Sequence, residues 1–279
     1  MIVFPNCKIN LGLNILRKRN DGYHDLETIF YPLPLTDVLE IIESNQPERT
    51  IPIPFYNSGI LIQGDTLSNI CVKAYRLLKK DFPRLPFVQM HLHKIIPSGA
   101  GLGGGSADAA FTLQLLNQQY GLKLNRQQLI RYAGQLGSDC PFFIINKPCF
   151  ATGRGELLEE FELSLADYKL VLVNPGIHID TGKAFLDMPP SLREKSLKEI
   201  IRNPVDSWKD ELINDFETPI FRQHPEIGII KDRLYHAGAV YASMSGSGSS
   251  VYGIFRKDNM INLRFPHNYF VRELSGGYL

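Results

Sequence analysis

The sequence predicts an α+β protein in two domains, 1–152 and 153–279. Strands and helices are mixed without regular β–α–β alternation, and the pattern restarts after about residue 152. The segment Val88-Gln89-Met90-His91-Leu92-His93 alternates apolar and polar. Such alternation marks a half-exposed strand, typical of an antiparallel sheet, whereas a strand covered on both faces reads as an apolar run.

The elements follow in order. Over 7–15 the alternation is strict, with Cys7, Ile9, Leu11, Leu13 and Ile15 on one face and Lys8, Asn10, Gly12 and Asn14 on the other. Asp21-Gly22 marks a turn. Residues 26–33 and 38–43 read as strands, and 44–59, with three prolines, as irregular chain. A helix is expected over 69–82, with Thr66 or Ser68 as cap, then a strand over 88–96 and a helix over 126–136 ending at Gly137. In the second half, 169–173 is an apolar strand closed by Asn174-Pro175-Gly176. Helices are expected near 181–188, 196–202, 208–216 and 226–236. Strands at 239–244 and 251–255 flank a small-residue loop, Ser245-Gly246-Ser247-Gly248-Ser249.

Composition excludes several classes. With 30 basic and 29 acidic residues among 279, the charge of +1 gives no pull toward nucleic acid or an anionic membrane. The basic run Arg17-Lys18-Arg19 is short and soon followed by Asp21. No apolar run approaches the roughly 20 residues of a membrane span, and no secretory pattern opens the chain. Cys7, Cys71, Cys140 and Cys149 lack CxxC spacing and read as thiols of a reducing cytoplasm, without a metal or disulfide framework.

The most informative stretch is 97–110, PSGAGLGGGSADAA. Five glycines, Gly99, Gly101, Gly103, Gly104 and Gly105, run into a helix whose expected cap is Ser106 and whose first turn holds Asp108. Ala109, Leu113, Leu116 and Tyr120 continue at helical spacing until Gly121. Backbone amides and a helix N-terminus together make an anion site, usually for phosphate. The dinucleotide fingerprint fits Gly99, Gly101 and Gly104 only in spacing, because no Asp or Glu follows between Ala109 and Ser138 to hold a ribose. A Walker loop fails too, since the loop has no Lys, and neither His-Arg-Asp nor Asp-Phe-Gly occurs.

Lys8 and Asn10 on an early strand, PSGAGLGGGSADAA in the middle and MSGSGSSVYGIF near the end resemble, in that order, the three motifs of the GHMP kinases. Asp21-Gly22-Tyr23-His24 and Gly137-Ser138-Asp139-Cys140-Pro141-Phe142 narrow the match to members whose acceptor is a cytidine diphosphate sugar alcohol. The resemblance runs from Lys8 to Phe255. It implies an N-terminal domain like the second domain of ribosomal protein S5, a ferredoxin-like C-terminal domain, ATP as cosubstrate and Mg²⁺ as metal.

The resemblance also assigns residues. Asp139, otherwise an ordinary Asp in a turn before proline, becomes the base that accepts the acceptor hydroxyl's proton. Lys8, otherwise a solvated Lys on a polar strand face, becomes a cation that offsets developing charge. ATP phosphates are expected on the backbone of Pro97, Ser98, Gly99, Ala100, Gly101, Leu102, Gly103, Gly104, Gly105, Ser106 and Ala107, with Ser247 and Gly248 nearby. Asn69 and Lys94 match adenosine-contacting positions. His24 would hydrogen-bond cytosine between the rings of Tyr23 and Phe185, with Asn10 and Thr181 completing the acceptor site. One departure stands out: Ser106-Ala107 replaces the two serines of many members, so that position offers magnesium no hydroxyl. The alternatives are a homoserine or mevalonate kinase of the same family and a non-catalytic nucleotide-binding regulator; an RNA-binding module on the S5-like fold is disfavoured by the balanced charge.

Overall fold

The computed structural model describes residues 1–44, 53–62, 64–186, 188, 190, 193 and 195–278. Its first strands are β1 (Ile2–Val3), β2 (Asn6–Lys18), β3 (His24–Thr36), β4 (Val38–Glu43), β5 (Phe55–Gly59) and β6 (Val88–Lys94). These are followed by β7 (Cys149–Thr152), β8 (Leu157–Glu160), β9 (Tyr168–Asn174), β10 (Tyr241–Met244), β11 (Val251–Arg256) and β12 (Phe270–Ser275). The helices are α1 (Ile70–Asp81), α2 (Gly104–Gln119), α3 (Arg126–Leu136), α4 (Cys140–Ile145), α5 (Thr181–Leu186), α6 (Leu197–Ile200), α7 (Glu217–Gln223) and α8 (Pro225–His236). The chain is α+β and forms two compact units. One comprises Met1–Cys7, Leu35–Ser98 and Gly103–Asn146; the other comprises Lys8–Pro34, Gly99–Leu102 and Lys147–Leu279. The units interleave, so 8–34 and 99–102 group with the C-terminal stretch.

In the first unit the sheet order is β1-β4-β6-β5. β6 runs antiparallel to β4 and parallel to β5. Its alternation is real: Val88, Met90 and Leu92 are buried while His91 and His93 are exposed. β5 lies inside the stretch expected to be irregular, of which 45–52 fall outside the described residues. α1 is capped by Asn69, whose side chain accepts the Cys71 N–H at 2.9 Å, rather than by Thr66 or Ser68, which form a 3₁₀ turn instead. α2 starts two residues before the expected Ser106 cap, because left-handed Gly103 (φ +68°) turns the chain into it. α4, CPFFII, was not anticipated: a six-residue apolar run carries no readable period.

The second unit has two sheets, β2-β3-β7-β8 and β10-β11-β9-β12. In the latter all three pairings are antiparallel, and the strands stand second–third–first–fourth in chain order, the ferredoxin-like arrangement. Residues 257–269 are irregular chain with turns at 257–258 and 267–268, where that arrangement carries its second crossover helix. Ile227, Ile230 and Leu234 of α8 bury against Val171, Val173, Ala242 and Val251. The helix expected over 208–216 is instead a 3₁₀ turn, Val205–Asp210. The reason is backbone competition: Leu13 N–H donates to Ile213 O and Asp215 N–H donates to Leu13 O, both at 2.9 Å, so 213–215 is held against β2. The helix expected over 181–188 ends at Leu186, and residue 187 lies outside the described residues.

Candidate active site

Within the first unit, a cavity of about 300 Å³ opens between β5, β6 and the starts of α1 and α2, and Asn69, Lys94, Ser98 and Gly105 line it. Four residues singled out from separate parts of the sequence therefore converge. Asn69 uses Oδ1 to cap α1, which holds the side chain at the cavity wall. Lys94 is buried, its ammonium 2.5 Å from Asp37 Oδ2 and 2.7 Å from Asp108 Oδ2. Asp37 also accepts the N–H groups of Ile95 and Ile96 at 2.6 and 2.8 Å. This triad ties the β3–β4 connection, the end of β6 and the start of α2 together. Removing one partner of such a buried set typically costs about 3–5 kcal/mol.

Ala107 N–H donates to Gly103 O at 2.9 Å and is the first amide of α2 with a partner one turn back. The amides of Gly104, Gly105 and Ser106 precede it and have no such carbonyl. They and the helix dipole form the anion-favouring end of the loop. Leu102 and Ala107 are buried. Asp139 stands at the start of α4, and the thiol of its neighbour Cys140 hydrogen-bonds Ser106. The structure thus brings Asp139 beside the first turn of α2, although the two are far apart in sequence.

The second unit gathers the other predicted residues. Lys8 is only 3% exposed, so its strand face is covered and not solvated. Its Nζ donates to Asn10 Oδ1 at 2.6 Å and Gly101 O at 3.3 Å and lies 4.8 Å from the centre of the Phe30 ring. Asn10 is fixed in turn, donating through Nδ2 to Thr28 Oγ1 at 2.9 Å. The glycine loop and the Ser245–Ser249 loop meet: Ser245 Oγ donates to Gly101 O at 2.8 Å, and Ser250 N–H to Ala100 O at 3.2 Å. Ser247 Oγ shares a hydrogen bond of 2.8 Å with Thr181 Oγ1. Asn214, which sequence reasoning missed, donates through Nδ2 to Met244 O and Gly246 O, both at 2.8 Å, and so holds the second loop. No local pattern marks it, since its role depends on contacts distant in sequence.

His24 is buried and stacks on Phe185, with ring centroids 5.5 Å apart at 22°. Burial, with Lys18 adding, lowers its pKa, so the imidazole is neutral near pH 7. Its Nε2 is buried with no hydrogen-bond partner among the described residues. Tyr23 is 56% exposed, with the Arg154 guanidinium 4.7 Å from its ring centre. Phe185 therefore pairs with His24, whereas Tyr23 pairs with Arg154, a residue that no sequence motif singled out.

Among the described residues no group of three His, Cys, Asp or Glu side chains could hold a metal, and buried Ala107 offers no ligand. No helix of the described residues is long and apolar enough to cross a membrane.

This fold and paired loop system define a small-molecule kinase class. Residues 69–147 match the GHMP kinase N-terminal domain and 190–264 the GHMP kinase C-terminal domain, and the chain belongs to the GHMP kinase family. Among its relatives, the 4-diphosphocytidyl-2-C-methyl-D-erythritol kinase of Bacteroides fragilis is 53% identical over 261 residues, covering 94% of each chain. A crystal structure of 4-(cytidine 5'-diphospho)-2C-methyl-D-erythritol kinase superposes with a TM-score of 0.79 at 28% identity, over 99% of this chain and 100% of that one. The Methanococcus jannaschii mevalonate kinase shares the fold alone, with a TM-score of 0.66 at 12% identity over 99% and 98% of the two chains.

Proposed function

We propose that the chain transfers the γ-phosphoryl group of ATP to the 2-hydroxyl of 4-diphosphocytidyl-2-C-methyl-D-erythritol, in non-mevalonate isoprenoid biosynthesis. The observation that carries this reading is His24: a buried neutral imidazole with an unpartnered Nε2, stacked on Phe185, suits a pyrimidine edge. Homoserine and mevalonate carry no base that would use it. The ATP-handling residues come from 1–152 apart from Ser247 and Gly248, while Thr181 and Phe185 of 153–279 serve the acceptor.

In this reading the adenosine occupies the cavity at Asn69 and Lys94, and the phosphates lie on the amides of 97–107. Magnesium arriving with the nucleotide would neutralise charge on the transferring phosphates. Asp139 accepts the hydroxyl proton, and Lys8 offsets charge developing at the acceptor. Four buried cysteines outside any disulfide support a reducing, cytoplasmic setting. The reading involves no nucleic acid and no membrane.

Release of ADP with the cytidyl substrate, measured beside homoserine and mevalonate controls, tests the assignment. Turnover confined to either control would sink it. Lys8→Met is expected to lower kcat/KM by about tenfold or more; an unchanged value in steady-state assays removes Lys8 from the mechanism. Tyr23→Ala is expected to raise KM for the cytidyl substrate about tenfold, the worth of one base–aromatic stack, while KM for ATP stays put. Equal changes in both constants would contradict a stacking role.

A further inference from the structure

The cavity of the first unit holds a charge imbalance that the transfer step does not use. Lys94, Asp37 and Asp108 are each at most 2% exposed, and two carboxylates face one ammonium, leaving one surplus negative charge. Asp37 is well supported, since its Oδ1 accepts two backbone N–H groups. Asp108 is not: its Oδ2 meets Lys94, but its buried Oδ1 has no partner among the described residues. Asp108 lines the same cavity as Asn69 and Gly105, one helical turn beyond the Gly104 amide. Burial is the largest cause that pushes Asp108 up to about 7; Lys94 opposes it and Asp37 adds to it. Burial presses Lys94 down, yet Asp108 and Asp37 leave its ammonium above the ordinary value, so it stays charged. Among the described residues, the other titratable groups facing this point are Cys71 of α1, a thiol that burial keeps neutral, and Asp65 on the cavity wall.

We propose that Asp108 is a nucleotide-positioning residue that takes a proton from solvent onto Oδ1 when a nucleoside polyphosphate fills this cavity. The idea rests on the nucleotide reading above. Polyanionic phosphates beside the first turn of α2 disfavour a second nearby negative charge. One proton on Oδ1 makes the triad neutral; no other bond is made or broken. The sign follows from linkage. The ligand prefers protonated Asp108, so affinity is fully present below pH 7 or so. Above that pH it weakens by up to about tenfold per pH unit, until the bound form itself titrates.

The test is calorimetric titration of the full chain with ADP in excess magnesium at pH 8, in two buffers of different ionisation enthalpy. The expected result is uptake of about 0.4–0.9 proton per ADP bound. Asp108→Asn, which keeps the side-chain shape and neutralises the triad, should bind with almost no uptake and with pH-independent affinity between pH 7 and 8.5. Uptake near zero in the unmodified chain overturns the proposal, and that measurement stands even if the variant fails to fold. Equal uptake in Asp108→Asn overturns it too, since the proton then lands elsewhere. A chain that binds no magnesium ADP at all overturns the nucleotide reading as well, whereas binding without proton uptake overturns this inference alone.

Discussion

Asp139→Asn is expected to lower kcat by about 100-fold or more while KM for ATP stays within a few-fold of its original value. The amide keeps the size of the carboxylate but cannot accept the hydroxyl proton. Asp139 supplies no side-chain hydrogen bond to cap α4. Thermal unfolding of the variant, measured beside its turnover, separates a chemical effect from a structural one. Near-normal turnover in steady-state assays would remove Asp139 as the base.

Gly101→Ala is expected to disable the protein by another route. Gly101 has φ +78°, and an added Cβ would stand 1.9 Å from the backbone oxygen of Ser245. A backbone atom cannot swing aside as a side chain can, so the two loops must separate. Left-handed strain alone costs about 1–3 kcal/mol, and separation also breaks the Ser245 bond to Gly101 O. Both the melting temperature and kcat/KM should fall. Gly105 is the internal control: it is helical and an added Cβ meets nothing within 4 Å. Gly105→Ala should melt no lower than the unmodified chain, since Ala favours helix by about 1 kcal/mol over Gly, though KM for ATP can rise because Gly105 lines the cavity. If both variants kept their melting temperature, close approach would not be what Gly101 is for.

Regular apolar periodicity in the sequence made β2, β4, β6, α1 and α3 legible, although β2 is then buried on both faces over its first ten residues. β8 and β12 were not. Their patterns, LLEE and FVRELS, are largely exposed, so they carry little apolar signal and owe their place to strand pairing. The spacing of Trp208, Leu212 and Phe216 mimics a helix, yet all three are buried in a segment whose backbone β2 has claimed. The site shows the same division. Glycines, Asp139 and the Tyr23-His24 pair were readable as motifs. Asp37, Asn214 and Arg154 act through partners far away in sequence. Lys8 illustrates both halves: alternation placed it on a polar face, but only the fold shows that Tyr252 OH and Ser245 Oγ reach the Asn10 backbone and cover that face.

The interleaving of the two units bears on how the chain is made. β3 pairs with β7, and Tyr31 OH donates to Gly276 O at 2.6 Å, three residues before the last. The segment 8–34 leaves the ribosome early, but its strand partner at 149–152 and its hydrogen-bond partner at 276 are synthesised well after it. During synthesis its apolar residues wait for those later segments, exposed to chaperones and to misassociation. The unit that carries Lys8 and His24 is completed only by segments distant from them in sequence.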